Sequence, residues 1–244
     1  MRCQLHNGRQ VYIWLKNVQI CLLCDEQTDS DTSICTACAS DLPWLTDQCE
    51  RCALPLSMSG LTCLQCMRRP PAFDEVIAAW LYDFPIDVLV TRFKHQGKWP
   101  LGRLLAELLG LTLQHRFDEG LARPDMMIPV PLANKRLRQR GYNQAAMLAN
   151  WLGEQLRLPV DERLVKRIKE TPAQQGLDAK ARKRNLREAF VLAEPADVKG
   201  KHVALVDDVL TTGSTADAIA RLLVRAGADR VDVYCLARTP KPGD

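Results

Sequence analysis

The sequence predicts an α/β protein, a doubly wound parallel sheet flanked by helices, with a small cysteine-rich module in front of it. Three observations carry this expectation. Residues 71–244 alternate apolar runs of strand length with segments of helical periodicity. Residues 1–70 hold four C-x-x-C pairs. Between the two, "RRPPAF" supplies two prolines, which stop a helix and favour an extended connection. A chain of 244 residues can hold one full-sized domain and one small one, so the expected division is 1–70 and 71–244.

Within the larger part each element has its own signal. "VIAAWLY" reads as a strand, "LGRLLAELLGLTLQHRF" as a helix, "MMIPVP" as a short strand, and "NQAAMLANWLGEQL" as a helix opened by Asn143. A strand-like "RLVKRI", a basic stretch and a short "AFVLA" follow. Then come the strand "HVALVDD", a helix from Ser214 to about Arg225, and a last strand "RVDVYCLA", which should bury Cys235. Strand and helix in alternation at this spacing imply parallel pairing through crossover helices. No apolar run reaches the length of a membrane span, and "VYIWL" is too short and too poorly flanked for a signal peptide. A cytoplasmic protein is therefore expected.

Eight of the ten cysteines form the pairs Cys21/Cys24, Cys35/Cys38, Cys49/Cys52 and Cys63/Cys66, whose starts recur every fourteen residues. Cys3 has no evident partner. In a reducing compartment such thiols stay free. One C-x-x-C turn aims two thiolates at a point, and a second completes the tetrahedral sulfur shell that suits Zn2+. Four pairs thus predict two zinc sites. Adjacent pairs sharing an ion, or a cross-braced arrangement of first with third and second with fourth, would use the same residues. Closed four-cysteine shells are structural, and a module of about seventy residues with few aromatics needs metal to supply folding free energy. Residues 1–70 carry six Lys/Arg against seven Asp/Glu, and each zinc with four thiolates adds about −2. Bulk attraction to a nucleic-acid backbone is not expected of this module, although Arg68 and Arg69 form a local basic pair. The basic character belongs to 71–244, with 27 Lys/Arg against 22 Asp/Glu.

The stretch "VALVDDVLTTGST", Val203 to Thr215, concentrates the chemistry. Its continuous apolar run suits a strand buried on both faces, so Asp207 and Asp208 fall near the carboxyl end, where ligands of open α/β sheets bind. Thr211, Thr212, Gly213, Ser214 and Thr215 then lead into a helix, which presents backbone N–H groups to an anion. Carboxylates suited to vicinal hydroxyls beside a cradle suited to a phosphate describe a site for ribose 5-phosphate. A nucleoside-triphosphatase reading lacks its G-x-x-x-x-G-K-[ST] loop, and a dinucleotide reading lacks G-x-G-x-x-G. In "PVPLANKRLRQRGYNQ", a basic loop with Lys135, Arg136, Arg138 and Arg140 follows a strand end, and Arg136 with Arg140 is the preferred pair for a diphosphate. The segment from Arg163 to Arg187 contains nine Lys/Arg and two Asp/Glu, the composition of a mobile basic loop. In "RFKHQGK", His95 is a weak acid–base candidate, and Lys94 or Lys98 could touch phosphate.

"VALVDDVLTTGST" resembles the phosphoribosyl pyrophosphate (PRPP) signature of type I phosphoribosyltransferases. Together with the four C-x-x-C pairs, "PVPLANKRLRQRGYNQAAMLA" and "TPAQQGLDAKARKRNLREAF", the chain resembles the ComF family and its GntX-like members, linked to competence and DNA utilisation. The likeness runs from about Cys21 to Arg238. It implies a type I phosphoribosyltransferase-like sheet behind a double zinc ribbon. Asp207 and Asp208 would bind the ribose hydroxyls, directly or through Mg2+, and residues 211–215 the 5-phosphate. Gln174, Arg182 and Asn185 match the family pattern, so that Arg182 would join Arg136 and Arg140 as a catalytic cation, with Lys183 and Arg184 in support. The implied chemistry is displacement of pyrophosphate from C1 of PRPP by a nitrogen nucleophile, without a protein nucleophile. The alternative is a noncatalytic adaptor for single-stranded DNA or DNA-uptake proteins that uses the phosphate pocket as a grip. The acceptor is not legible, because hood and loop contacts vary freely on one scaffold.

Overall fold

A computed structural model of the chain describes residues 19–28, 32–58, 60–169, 188–194 and 196–240. Gln174, Arg182, Lys183, Arg184 and Asn185 lie outside these residues, as does Cys3. The chain forms two compact units, Met1–Asp41 and Leu42–Asp244.

The first unit carries a thiol turn at Cys21–Cys24 and the short helix α1 (Thr36–Ser40), with Cys35 as its N-cap. The second unit opens on the same pattern, a turn at Cys49–Cys52 followed by α2 (Leu64–Arg68) with Cys63 as N-cap. The two turns also share backbone detail. Asp25 and Ala53, each directly after the second cysteine of its turn, take positive φ of 63° and 53°. This conformation is uncommon for non-glycine residues, and less costly for Asp than for Ala.

The sheet consists of β1 (Glu75–Leu81), β2 (Met126–Pro129), β5 (His202–Leu210) and β6 (Arg230–Arg238), all parallel, in the order β1-β6-β5-β2. The central run Val203–Val206 is wholly buried, as a strand covered on both faces must be. Helices α4 (Trp99–Asp118) and α6 (Gln144–Leu156) pack on the sheet and on each other, with Phe117 of α4 edge-on to Tyr234 of β6. Alternate residues Val203, Leu205, Val231, Val233 and Cys235 instead share a core with Ile219 and Leu223 of α7 (Ser214–Arg225) and with all four cysteines Cys49, Cys52, Cys63 and Cys66. The second cysteine cluster is thus built into the main hydrophobic core.

Asn143 caps α6 as expected. Its Oδ1 accepts from Ala145 N–H at 3.1 Å and its Nδ2 donates to the Val130 carbonyl, also at 3.1 Å, tying helix to sheet. Asn143→Ala should cost about 1 kcal/mol of stability, read as a lower urea midpoint with unchanged slope.

Three local features differ from the sequence expectation. A helix, α3 (Ile86–Gln96), occupies the segment before "GKW", burying Ile86, Leu89, Val90 and Phe93. The basic segment after β2 is not a loop but a seven-residue helix, α5 (Asn134–Arg140), which buries no side chain and ends on Gly141. Lacking an apolar stripe, it carries no periodic signal. The strand-like "RLVKRI" and "AFVLA" do not join the parallel sheet. They form a separate antiparallel pair, β3 (Val165–Arg167) with β4 (Phe190–Leu192).

Candidate functional site

The eight cysteines gather as two clusters of adjacent pairs, Cys21, Cys24, Cys35 and Cys38 in one and Cys49, Cys52, Cys63 and Cys66 in the other, with the four sulfurs of each within 4.8 Å of one another. This resolves the pairing that spacing left open. In a regular tetrahedron with Zn–S near 2.3 Å, sulfurs lie about 3.8 Å apart. The observed Cys24–Cys35 and Cys52–Cys63 sulfur separations are 3.8 and 3.7 Å. Burial works against ionising Cys21 and Cys49. Backbone N–H groups, foremost those of Cys35 in the first cluster and Cys63 in the second, outweigh it and bring these thiols down to about 6 and about 7. Burial pushes Cys52 up to about 11 and raises Cys66 as well. Four such thiolates can coexist only around a cation, and both donor sets fit structural Zn2+. The clusters differ in setting. The first is partly exposed at Cys24, whereas the second is buried at all four positions.

The other constellation lies at the carboxyl end of β5. There β5 outruns its neighbour, for β2 pairs with it only as far as Val206, while β6 continues to Leu210. Asp207 and Asp208 therefore fall where one edge of the central strand is free of a partner strand. Successive strand residues face opposite sides of a sheet, so the two carboxylates have unlike surroundings. Asp208 forms a 2.9 Å ion pair with Lys94 Nζ from the last turn of α3. Asp207 accepts from the Asp208 N–H at 2.9 Å, and burial, followed by the adjacent Asp208 charge, raises its carboxyl to about 7.

Thr211, Thr212 and Gly213 follow, and Ser214 begins α7. Gly213 is the N-cap with φ 71°, and a Cβ there would meet the Phe73 ring at 3.6 Å, so the conformation rather than lack of space calls for glycine. The glycine N-cap offers no side chain to this helix start, and Ser214 N–H donates to Thr212 Oγ1 at 3.4 Å. Thr212 and Ser214 exchange a 2.9 Å hydroxyl contact. Among the described residues, no hydrogen bond takes up the N–H groups of Thr211, Thr212 or Gly213. Consecutive open donors at a positive-φ turn and a helix N-terminus form an anion cradle.

Next to Lys94 lies a cavity of about 340 Å³ lined by Lys94, His95, Arg136, Gln139, Arg140 and Tyr142. The helical form of α5 explains why Arg136 and Arg140 line it together, since residues four apart share a face. Lys135 and Arg138 do not line it. Partial burial, then the charges of Arg140 and Lys94, lower the His95 pKa. An anion in the cavity would offset those charges, so pyrophosphate should raise the His95 pKa, observable by NMR titration of its ring protons. Lys98 precedes α4 and does not line the cavity, and Arg69 closes α2. No helix among the described residues is long and apolar enough to cross a membrane.

Two contributions were not singled out in the sequence. The pairing of Lys94 with an acid is one, and the apolar spacing of Ile86, Leu89, Val90 and Phe93 would have placed it on a helix. The other is Arg238, buried at the end of β6 with its guanidinium on backbone carbonyls of the cradle. Backbone partners leave no sequence signal.

A parallel sheet with this acidic strand end and anion turn, in a chain that also holds two four-cysteine clusters, defines a phosphoribosyltransferase-type domain carrying a double zinc ribbon. The family description "Phosphoribosyl transferase domain" matches residues 141–243, and "Double zinc ribbon domain" matches residues 18–67. The chain is 38% identical over 211 residues to DNA utilization protein YhgH of Salmonella typhimurium, covering 86% of this chain and 92% of that one. It is 37% identical to Competence protein F of Haemophilus influenzae, covering 84% and 90% respectively, and 27% identical to Competence protein ComFC of Bacillus subtilis, covering 90% and 95%. The chain belongs to the ComF family, that of YhgH and competence protein F. Among solved structures it is similar to glutamine PRPP amidotransferase from B. subtilis, at 20% identity and TM-score 0.37 over 55% of this chain and 25% of that chain. Purine phosphoribosyltransferase from Pyrococcus horikoshii matches at 26% identity and TM-score 0.31, over 55% of this chain and 70% of that chain.

Proposed function

We propose that residues 71–244 bind PRPP with Mg2+ and transfer its phosphoribosyl group to a nitrogen acceptor, releasing pyrophosphate, and that residues 1–70 serve as the zinc-bearing part. The observation that carries this reading is the juxtaposition of Asp207 and Asp208 with the open N–H groups of Thr211–Gly213, beside a cavity lined by cations. In the reaction the bond from C1 to the pyrophosphate oxygen breaks, a C1–N bond forms, and the acceptor nitrogen gives up a proton. Asp207 and Asp208 hold the ribose hydroxyls, and Thr211 to Thr215 hold the 5-phosphate. Arg136 and Arg140 stabilise the leaving pyrophosphate from the cavity, and Arg182 adds a further cation. The carboxylate oxygens of Asp207 and Asp208 are the hard donors Mg2+ prefers. When bound there, the ion would supply charge neutralisation for the pyrophosphate. Lys94, paired with Asp208, places a further cation beside the acids that hold the ribose.

The direct test is calorimetric titration of PRPP into the protein in millimolar Mg2+. One saturable site is expected, and no heat beyond dilution would remove this reading.

A second reading, a grip for single-stranded DNA during DNA uptake, gains one supporting observation. Trp99 is 54% exposed and sits edge-on to Tyr142, whose side chain lines the basic cavity. A stacking surface beside phosphate-binding cations is what single strands use. Binding of an oligonucleotide that weakens steeply with salt and persists in Asp208→Asn would favour it. The relatives' names, DNA utilization and competence, suit either reading, and action in the cytoplasm is part of the proposal.

A further inference from the structure

Arg238 is a buried cation without a carboxylate. It is 6% exposed, and among the described residues it forms no ion pair. Its charge is met by main-chain oxygens. Nε donates to the Cys52 carbonyl at 2.9 Å, and Nη1 donates to the carbonyls of Leu210 at 3.1 Å, of Thr239 at 2.8 Å and of Thr211. One planar group therefore joins a thiol turn of the second cysteine cluster to the first residues of the anion cradle. The consequence follows from peptide geometry. In a trans peptide C=O and N–H point in opposite directions. Drawing the oxygens of Leu210 and Thr211 onto Arg238 turns the N–H groups of Thr211 and Thr212 away from it. Those are two of the donors left open.

Further contacts tie the same cluster to the same turn. Arg51, between Cys49 and Cys52, donates from Nε to the Phe73 carbonyl at 3.2 Å and from Nη2 to the Pro71 carbonyl at 3.3 Å. The Phe73 ring lies beneath Gly213, and Ala72 N–H donates to Asp217 in the first turn of α7 at 2.8 Å. The second thiol turn thus reaches both ends of the cradle, through the Cys52 carbonyl at one and through the Arg51 side chain, by way of residues 71–73, at the other.

We propose that Arg238 is the positioning residue through which the second four-cysteine site sets the cradle geometry, so that metal in that site and the 5-phosphate of a ligand raise each other's affinity. The proposal rests on the reading of residues 211–215 as a phosphate site. Linkage requires the two effects to be equal, and couplings of this kind span about 5- to 150-fold.

The experiment uses the zinc-loaded full chain, with ribose 5-phosphate in Mg2+ as the probe. Calorimetry gives its affinity, and equilibrium competition with a chelator gives zinc affinity with and without it. Ribose 5-phosphate should shift the chelator midpoint of one zinc equivalent by about tenfold and leave the other unmoved. Lysine offers one compact ammonium in place of a planar fork. Arg238→Lys should therefore weaken ribose 5-phosphate about tenfold and abolish the shift, while keeping both zinc equivalents and a near wild-type thermal midpoint. Arg238→Gln serves the same comparison should the lysine variant not fold. If wild type binds ribose 5-phosphate but neither midpoint moves, or if the shift survives in the folded variant, the proposal is overturned and the phosphate reading stands. If wild type binds neither ribose 5-phosphate nor PRPP, both fall together.

Discussion

Asp207→Asn with Asp208→Asn should reduce affinity for PRPP in Mg2+ by about 100-fold or more, since each substitution removes a charged acceptor from a hydroxyl or metal contact worth about 1.5–3 kcal/mol. Calorimetry measures this directly, and retention of wild-type affinity would refute the assignment of the acids. The two single variants should differ. Asp208→Asn leaves Lys94 without its 2.9 Å partner, whereas Asp207→Asn relieves a cost. The folded-state pKa of Asp207, about 7, lies above its unfolded value of about 3.9. The native state therefore holds the extra proton between about pH 4 and 7, and stability falls as pH rises through that window. Asp207→Asn should accordingly be more stable than wild type at pH 8, by about 1 kcal/mol or more, with the difference vanishing near pH 4. Ligand binding needs the ionised acid, so wild-type affinity should climb as pH passes 7. A site that destabilises its own fold at working pH is the usual cost of preorganised charge.

Loss of metal from the second cluster is the other large effect. Cys49, Cys52, Cys63 and Cys66 are each at most 9% exposed and share the core with the sheet. Structural zinc in small sites contributes on the order of 10 kcal/mol at neutral pH, comparable with the whole stability of a domain. Cys66→Ser should therefore leave residues 42–244 largely unfolded, visible as loss of the cooperative thermal transition. Cys24→Ser removes an exposed ligand of the first cluster and should leave that transition nearly unchanged, with one zinc equivalent remaining by elemental analysis. Equal effects of the two substitutions would contradict the burial argument.

The parts of the fold legible in the sequence are those whose side chains carry the signal. Val203–Val206 is a continuous apolar run because both of its faces are covered, and Asn143 announces its helix because its side chain accepts from the helix backbone. The helix at Ile86–Gln96 had the right spacing but sits in a segment dominated by its basic end. The helix at Asn134–Arg140 had no spacing to read, because none of its side chains is buried. Zinc pairing was open for a geometric reason, since regular repeats permit two arrangements and only the tertiary fold selects one. The role of Arg238 is farther out of reach. Its partners are carbonyls 186, 28 and 27 residues away in sequence, and any residue type supplies a carbonyl.

The repeated thiol turn, with Asp25 and Ala53 in the same left-handed conformation, has a consequence for assembly. One copy stands partly in solvent and can take up or exchange its ion after folding. The other is enclosed by the sheet and α7, so its ion has to arrive before the core closes around it. Metal supply would then act as a checkpoint in biogenesis, with residues 49–66 emerging from the ribosome ahead of the strands that will seal them in. Zinc-loaded protein given an excess of chelator should release one equivalent promptly and the second only at the rate of global unfolding.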